Sequence, residues 1–264
     1  MTVPRALWTG AISFGLVNVP VKLTTAVSKK DVRFHQLHAA DGARIEQRRV
    51  CTADGEELAW GDLVKGYEIS PGRHVIVAPE ELEALDPDAT RTIDVLDFVN
   101  EADVDPVYYQ HPYYLVPDKP TSDKAYALLR EAMVRTGKVA IARFVMRSKE
   151  YLAVIRPRDG ALLLSTMLFG DEVVAVDEID GLPDVEIDDR EMSMAEQLIE
   201  QLTTEFDASR YEDRYRQRVL DLLEAKAEGK DVVVAPAAEE SSAVVDLVAA
   251  LEASLEEAEK RRSA

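Results

Sequence analysis

Short runs of alternating apolar and polar residues, separated by turn residues, dominate the first 170 positions of the chain. Alternation with period two is typical of strands that place one face in a core. The first run, residues 7–23, contains Gly10, Gly15 and Pro20, and we interpret it as one core strand that bends. The other predicted strands span residues 32–37, 46–51, 66–69, 74–78, 90–99, 107–117, 138–155 and 161–169. Strands of this length and spacing predict an antiparallel sheet or barrel.

Two helices interrupt these strands. Pro79 opens a short acidic helix over residues 79–86, because proline suits the first helical position. Residues 124–136 form a second helix, with Asp123 as its cap and Gly137 at its end. The residues predicted on the buried face of this second helix are Leu128, Leu129, Ala132 and Met133.

After Gly170 the pattern becomes acidic and helical. Ser193 and Ser209 each stand three residues before a glutamate, the capping-box spacing that starts a helix. Residues 230–241 read as a linker. A last helix, residues 242–262, carries one apolar stripe, and such a tethered helix either docks back on its own chain or binds a partner. The stripe consists of Val244, Leu247, Val248, Leu251 and Leu255.

Positive charge is concentrated in two stretches of a chain whose net charge is −19. Residues 22–49 contain seven Lys and Arg against three Asp and Glu, and residues 124–158 contain nine against two. The total charge by itself argues against a nucleic-acid partner, but a phosphate-binding surface needs only a basic patch. If the second stretch is an unbulged strand, Arg143, Arg147 and Lys149 share one face of it.

The composition also predicts where in the cell the protein is located. No run of about 18 apolar residues is present, so we expect no transmembrane helix and no membrane partner. The first ten residues lack an apolar signal-peptide core, and the single cysteine, Cys51, suits a reducing compartment. These features predict a cytoplasmic protein, associated with the nucleoid if it binds DNA.

The sequence contains no recognisable catalytic constellation. Phosphate-binding loops, dinucleotide glycine patterns and zinc-protease motifs are missing. His35 and His38 would face opposite sides of a strand, and Cys51 has no second cysteine nearby to share a metal. We therefore predict a binding protein that is not an enzyme, with no catalytic residues, no metal and no cofactor.

Eight segments of the chain carry a resemblance to a known family. The segments are WTGAISFGLVNVPVKL (Trp8–Leu23), VRFHQLH (Val32–His38), KGYE (Lys65–Glu68), TRTIDVLDFV (Thr90–Val99), YYLVPDK (Tyr113–Lys119), YALLREAM (Tyr126–Met133), GKVAIARFVMR (Gly137–Arg147) and the stretch Met194–Lys230. Together they resemble the bacterial Ku family. The resemblance covers about residues 1–230 in the same order and is highly specific.

The resemblance implies a β-barrel core with a helical C-terminal arm, an α+β fold that forms a ring-shaped homodimer around DNA. It implies binding to the ends of linear double-stranded DNA and recruitment of an ATP-dependent DNA ligase in non-homologous end joining. The expected domains are residues 1–170 (barrel core), 171–229 (helical arm), 230–241 (linker) and 242–264 (ligase-recruiting helix).

The two basic stretches supply the expected DNA-binding residues, and the C-terminal stripe supplies the expected ligase-binding residues. The DNA-binding set is Lys22, Lys29, Lys30, Arg33, Arg44, Arg48, Arg49, Arg143, Arg147 and Lys149. Two other hypotheses stay open: an interaction scaffold that uses the acidic surface, and a metal-dependent nuclease, which has the least support.

Two departures from the family pattern affect these expectations. Some relatives carry Cys-x-x-Cys where this chain has Cys51 and Asp54, so a zinc knuckle here would lack its second ligand. Some relatives also end in a long lysine-rich tail, whereas this chain ends in only Lys260, Arg261 and Arg262 before two small residues. The short tail predicts a stricter dependence on DNA ends.

Overall fold

The structure, a computed structural model, describes residues 6–83, 91–229 and 247–262. The chain divides into two compact units. The first contains residues 1–30 and His35–Glu178, and the second contains Asp31–Phe34 and the residues from Ile179 onward. The predicted linker at 230–241 and the start of the predicted last helix, 242–246, lie outside the described residues. None of the described helices is long and apolar enough to cross a membrane.

The first unit contains a closed barrel of seven strands, which confirms the predicted β-barrel fold. Its strands are β1 (Trp8–Phe14), β2 (Val17–Thr25), β5 (Thr92–Asn100), β6 (Tyr109–Pro117), β7 (Lys138–Met146), β8 (Lys149–Arg158) and β9 (Ala161–Met167). The order around the barrel is β1-β2-β6-β9-β8-β7-β5. Parallel pairing between β1 and β5 closes it, while the other neighbours are antiparallel.

Inward-facing residues of the strands fill the barrel, and β9 buries both of its faces, from Leu162 to Met167. On β2, Val19, Val21 and Leu23 are fully buried while Lys22 between them points outward. Helix α2 (Asp123–Thr136) packs on β7 and β8 and adds Tyr126, Leu129 and Met133 to the same core. The other large residues of this core are Ile12, Ile93, Leu115, Phe144, Ile155, Leu162 and Leu164.

Helix α2 differs from its prediction at two points. Ser122 precedes the helix as its cap residue, and Asp123 is the first helical residue. Leu128 and Ala132, both predicted on the buried face, are exposed, Leu128 to 70%, and Tyr126 faces the core instead. Gly137 ends the helix with φ +63°, as predicted, because glycine adopts the left-handed region without a Cβ clash.

Two predicted single strands are hairpins. The run 7–23 turns at Gly15, whose φ of +57° allows β1 and β2 to pair directly. The run 138–155 turns at Arg147 and Ser148, with φ of +54° and +59°. Positive φ at both turn residues is typical of the two-residue turn that matches the twist of a hairpin.

The segment between β2 and β5 is mostly irregular. The strands predicted at 32–37 and 46–51 do not form, and isolated bridges join Leu37 to Arg44 and Val50 to Glu57 instead. These segments are almost entirely exposed, so their alternation has no core to face. The predicted strands at 66–69 and 74–78 do form, as β3 (Lys65–Ser70) and β4 (Arg73–Val77) of a separate two-stranded sheet. Helix α1 (Pro79–Glu83) follows, and the rest of its predicted span lies outside the described residues.

Three helices belong to the second unit: α3 (Asp189–Leu202), α4 (Arg214–Ala227) and α5 (Leu247–Arg262). The predicted serine caps are wrong. Asp188 caps α3 by accepting the N–H of Arg190, and Asp213 caps α4 by accepting the N–H of Arg216. Aspartates upstream start α3 earlier than Ser193, while Ser209 lies in a short 3-10 turn, Ala208–Arg210. Helix α5 packs against α3.

Candidate nucleic-acid interface

The barrel order separates the two basic stretches where they enter strands. Lys22 lies on β2 and Arg143 on β7, and at least two strands stand between them in either direction around the barrel. Lys22 forms an ion pair with Asp118, with 2.7 Å between Nζ and Oδ1. On the barrel wall, therefore, Lys22 and Arg143 are not neighbours.

The β7–β8 hairpin places its three predicted bases in three different settings. Arg143 pairs across the hairpin with Leu152 and points out of the barrel, whereas Lys149 pairs with Met146, on the inward side. Lys149 Nζ lies 5.3 Å from the ring centroid of Tyr151. Arg147 is in the turn itself. The prediction that the three residues share one face is wrong, because the turn interrupts the two-residue alternation of the strand.

Acidic neighbours surround Arg143. Its cross-strand partner on β5 is Asp94, and Glu150 on β8 lies 3.9 Å from its guanidinium. Arg147 differs in this respect. Within the described part of the chain, no carboxylate lies in ion-pair range of Arg147, and its side chain is exposed. A phosphate approaching this hairpin would therefore meet its least compensated cation at Arg147.

Two arginines of the first basic stretch, Arg48 and Arg49, contact neighbouring side chains. Arg48 contacts Glu57 at 3.0 Å and Glu46 at 3.4 Å. Arg49 stacks over Trp60, with 3.7 Å between its guanidinium carbon and the ring centroid. Trp60 is 76% exposed, so this cation–π pair lies at the surface.

Lys29, Lys30, Arg33 and Arg44 are exposed, and the described residues place no carboxylate within ion-pair range of them. Arg33 differs from the others in belonging to Asp31–Phe34, the segment that groups with the second unit. The ten predicted DNA-binding residues thus comprise five unpaired bases, three ion-paired bases and two bases beside aromatic rings.

Two equivalent turns precede Arg44 and Glu57. In the first, the N–H of Gly42 bonds the carbonyl of His38, and Asp41 accepts the N–H of Ala43. In the second, 13 residues later, Gly55 bonds Cys51, and Asp54 accepts the N–H of Glu56. Each turn has the form x-x-Asp-Gly after its first residue, His38 or Cys51.

A zinc knuckle would need its second ligand at the position of Asp54. Here Asp54 accepts a hydrogen bond from the backbone of its own turn instead. The N–H of Glu56 and, to a smaller degree, Cys51 hold the pKa of Asp54 below its ordinary value, because both stabilise the carboxylate. Among the described residues, no three His, Cys, Asp or Glu side chains lie together as a metal ion would require. In each turn the aspartate, Asp41 or Asp54, accepts a backbone N–H two residues later.

Basic side chains outside the predicted set also occupy notable positions. Arg156 on β8 pairs with Glu101 at 3.1 Å and faces the ring of Tyr109, in a cleft of about 500 Å³. In the second unit, Phe206 and Tyr211 stack with ring centroids 5.8 Å apart, and four arginines lie close to them in the sequence. These arginines are Arg210, Arg214, Arg216 and Arg218. A local charge count of this short stretch, rather than of the acidic C-terminal region as a whole, would have found them.

Comparison with known proteins adds the family. A family profile described as the Ku70/Ku80 beta-barrel domain matches residues 13–195. The chain belongs to the Ku family. The match extends from β1 through the whole barrel and into α3, so α4 and α5 lie beyond the barrel profile.

Individual Ku relatives match nearly the whole chain, and each is named as a non-homologous end joining protein Ku. The protein of Anaeromyxobacter sp. (strain K) is 52% identical over 97% of this chain and 87% of its own length. The Archaeoglobus fulgidus protein is 40% identical over 96% of this chain and 98% of its own. The Frankia casuarinae protein is 43% identical, but this chain spans only 63% of that longer relative.

Proposed function

We propose that this protein binds the ends of linear double-stranded DNA as a ring-shaped homodimer in non-homologous end joining. We also propose that it recruits and stimulates an ATP-dependent DNA ligase. The observation that carries the proposal is membership of the Ku family, with relatives bearing the end-joining name over almost the whole chain. Its role would be binding rather than catalysis.

The charge distribution supports a DNA-binding role for a limited surface. Binding that depends on phosphates needs cations and no base contacts, and its specificity for ends comes from threading a ring. Arg147, Lys29, Lys30 and Arg44 are exposed and unpaired among the described residues, and so can meet phosphates without first breaking an ion pair. The ion-paired Arg48 and Arg143 can exchange partners at small cost, because exposed ion pairs contribute little stability. The Lys22–Asp118 pair is partly buried and would cost more to break.

Helix α4 supports the homodimer. In the described part of the chain it makes no extensive contact with another helix or strand, and it exposes Tyr215, Leu220 and Leu223. An isolated helix of this length is marginal in water, so its apolar side chains need a covering surface. A second copy of the chain would supply one through a two-fold interface.

Helix α5 is the proposed ligase-recruiting element. Of its predicted partner-binding residues, Val248, Leu251 and Leu255 are half-buried. Val244 lies outside the described residues, and Leu247 is the first residue of the helix. The acidic residues Glu252 and Glu256 on the same helix would repel phosphates, which favours a protein partner over DNA.

One comparison tests the proposed end binding. The purified protein is titrated with a linear duplex and with the same sequence closed into a circle, in a gel-shift assay. We expect stronger binding to the linear form, since only a free end can be threaded. Equal affinity for the circle would contradict the ring, and no binding to either would favour the scaffold hypothesis.

The homodimer and the ligase element are tested separately. Light scattering at micromolar concentration should report about twice the chain mass, because a large apolar interface leaves few free monomers. A variant that ends at Gly229 should retain end binding and lose stimulation of the ligase. Loss of end binding in that variant would contradict the assignment of α5.

A further inference from the structure

Helices α3 and α5 pack against each other through one face of each. On α3, residues with three- and four-residue spacing are half-buried: Glu191, Met194, Ala195, Leu198 and Gln201. On α5, Val248, Leu251 and Leu255 are half-buried at the same kind of spacing. Because i, i+3, i+4 and i+7 positions share a helical face, these residues form a half-buried stripe on each helix. Ala250, on another side of α5, is half-buried as well.

The outward face of α3 provides the contrast. Ile199, next to Leu198 in sequence, is 68% exposed, and Met192 and Leu202 are also exposed. The burial of Met194, Ala195 and Leu198 is therefore a property of the face that α5 covers, not of the helix as a whole.

An ion pair joins the two helices. Arg190 at the start of α3 donates a hydrogen bond from Nη2 to Glu252 Oε1 on α5, at 3.2 Å. Both side chains are more than half exposed, so the pair contributes little to the strength of the contact. It is made in the alignment in which Leu251 and Leu255 are half-buried.

The half-buried stripe of α5 is the same stripe that the proposed function assigns to the ligase. We propose that α3 is an intramolecular receptor for α5 and that docking on α3 masks the ligase-binding stripe. The inference rests on the proposed function, because it regulates that same element. Leu251 and Leu255 cannot contact α3 and a ligase at the same time, so the two contacts are mutually exclusive.

Tethering makes this masking effective even though the contact is small. Residues 228–246 connect α4 to α5, so α5 meets α3 at the high local concentration of an intramolecular partner. When only a fraction of molecules is competent to bind, the apparent dissociation constant rises by the inverse of that fraction. A docked population of about 90% would weaken ligase binding about tenfold.

The test changes α3 and leaves the α5 stripe intact. Leu198→Glu places a charge in the contact, and Ile199→Glu places the same charge on the exposed face as a matched control. Leu251→Glu changes the stripe itself. Hydrogen–deuterium exchange of the peptide covering 247–262 reports docking. Titration with the purified ATP-dependent end-joining ligase of the same organism reports partner binding.

We expect Leu198→Glu to speed exchange in α5 and to tighten ligase binding several-fold, up to about tenfold. Ile199→Glu should change neither quantity. Leu251→Glu should speed exchange and abolish ligase binding. Arg190→Glu, a surface change that spares the fold, should act like Leu198→Glu to a smaller degree, and Arg190→Glu with Glu252→Arg should restore wild-type exchange.

The outcomes separate the two proposals. If Leu251→Glu abolishes ligase binding but Leu198→Glu and Arg190→Glu leave its affinity unchanged, masking is wrong and the ligase role of α5 stands. Unchanged exchange in α5 for both α3 variants would also overturn masking. If Leu251→Glu does not alter ligase affinity, the ligase role itself fails, and masking fails with it.

Discussion

The hydroxyl of Tyr126 on α2 accepts the backbone N–H of Leu162 on β9 and donates to the carbonyl of Leu115 on β6, each at 2.7 Å. Leu115 and Leu162 are direct cross-strand partners on β6 and β9, so one buried hydroxyl bridges two paired strands and a helix. The contact joins residues that are 36 positions apart in the chain.

Removing this hydroxyl should destabilise the barrel. Tyr126→Phe keeps the ring in the core but leaves the N–H of Leu162 and the carbonyl of Leu115 without their partner. Unsatisfied buried polar groups cost about 1–3 kcal/mol, and we expect a loss of that size in the free energy of unfolding. Urea denaturation measures it. Tyr114→Phe, at a more exposed ring on β6, serves as the control and should change stability much less.

The same residue predicts a loss of stability at alkaline pH. Burial raises the pKa of Tyr126 above its ordinary value of 10.0, against smaller opposing effects of the Leu162 N–H and Arg130. The unfolded chain therefore releases the Tyr126 proton at a lower pH than the folded protein does. The stability that the protonated hydroxyl contributes is complete below about pH 10 and is lost as the pH rises through the pKa of the folded state. The free energy of unfolding should fall more steeply above pH 10 in the wild type than in Tyr126→Phe. Parallel curves would contradict this.

Gly10 on β1 is required by close packing. A Cβ at this position would collide with the carbonyl oxygen of Arg91 and with the ring of Trp8. Trp8 cannot easily move, because its Nε1 donates to the carbonyl of Val145 at 3.0 Å. Gly10→Ala should therefore lower the free energy of unfolding by about 1–3 kcal/mol, as overpacking does.

The control for Gly10→Ala is Gly61→Ala, where a Cβ would meet no atom within 4 Å. That variant should unfold within about 0.5 kcal/mol of the wild type, as surface substitutions usually do. Equal thermal and urea stability for the two variants would show that the region around Trp8 rearranges without cost.

Arg147 should carry one phosphate contact in the proposed complex. Replacing it with alanine should weaken binding to a linear duplex and reduce the log–log salt slope by about 0.9. Arg135→Ala is the control, because Arg135 is equally basic but pairs with Glu131 along α2 at 3.0 Å. Fluorescence anisotropy over a salt series measures both slopes. Identical slopes for the two variants would remove Arg147 from the interface.

Much of the barrel could be predicted from the chain alone. Strands β5, β6 and β9 and helix α2 follow from local alternation, helical periodicity and Gly137, because each of these signals is contained in neighbouring residues. The segments resembling Ku also pointed to the family before any geometry was known, and the family profile matches.

Which face a residue occupies was decided by tertiary contacts. Lys149 was expected beside Arg143, yet the turn at Arg147 and Ser148 puts the two on opposite faces. Residues 32–37 alternate like a strand but remain irregular, because a strand needs a partner and a buried side that distant residues must supply.

The candidate interface shows the same division. The sequence by itself determined where positive charge is concentrated, since charge is a property of each residue. Only the tertiary structure decided that Arg48 is paired to Glu57, that Arg147 has no carboxylate in range among the described residues, and that α5 packs against α3. Pairing and docking depend on groups brought together by folding, and a linear pattern contains no distances between them.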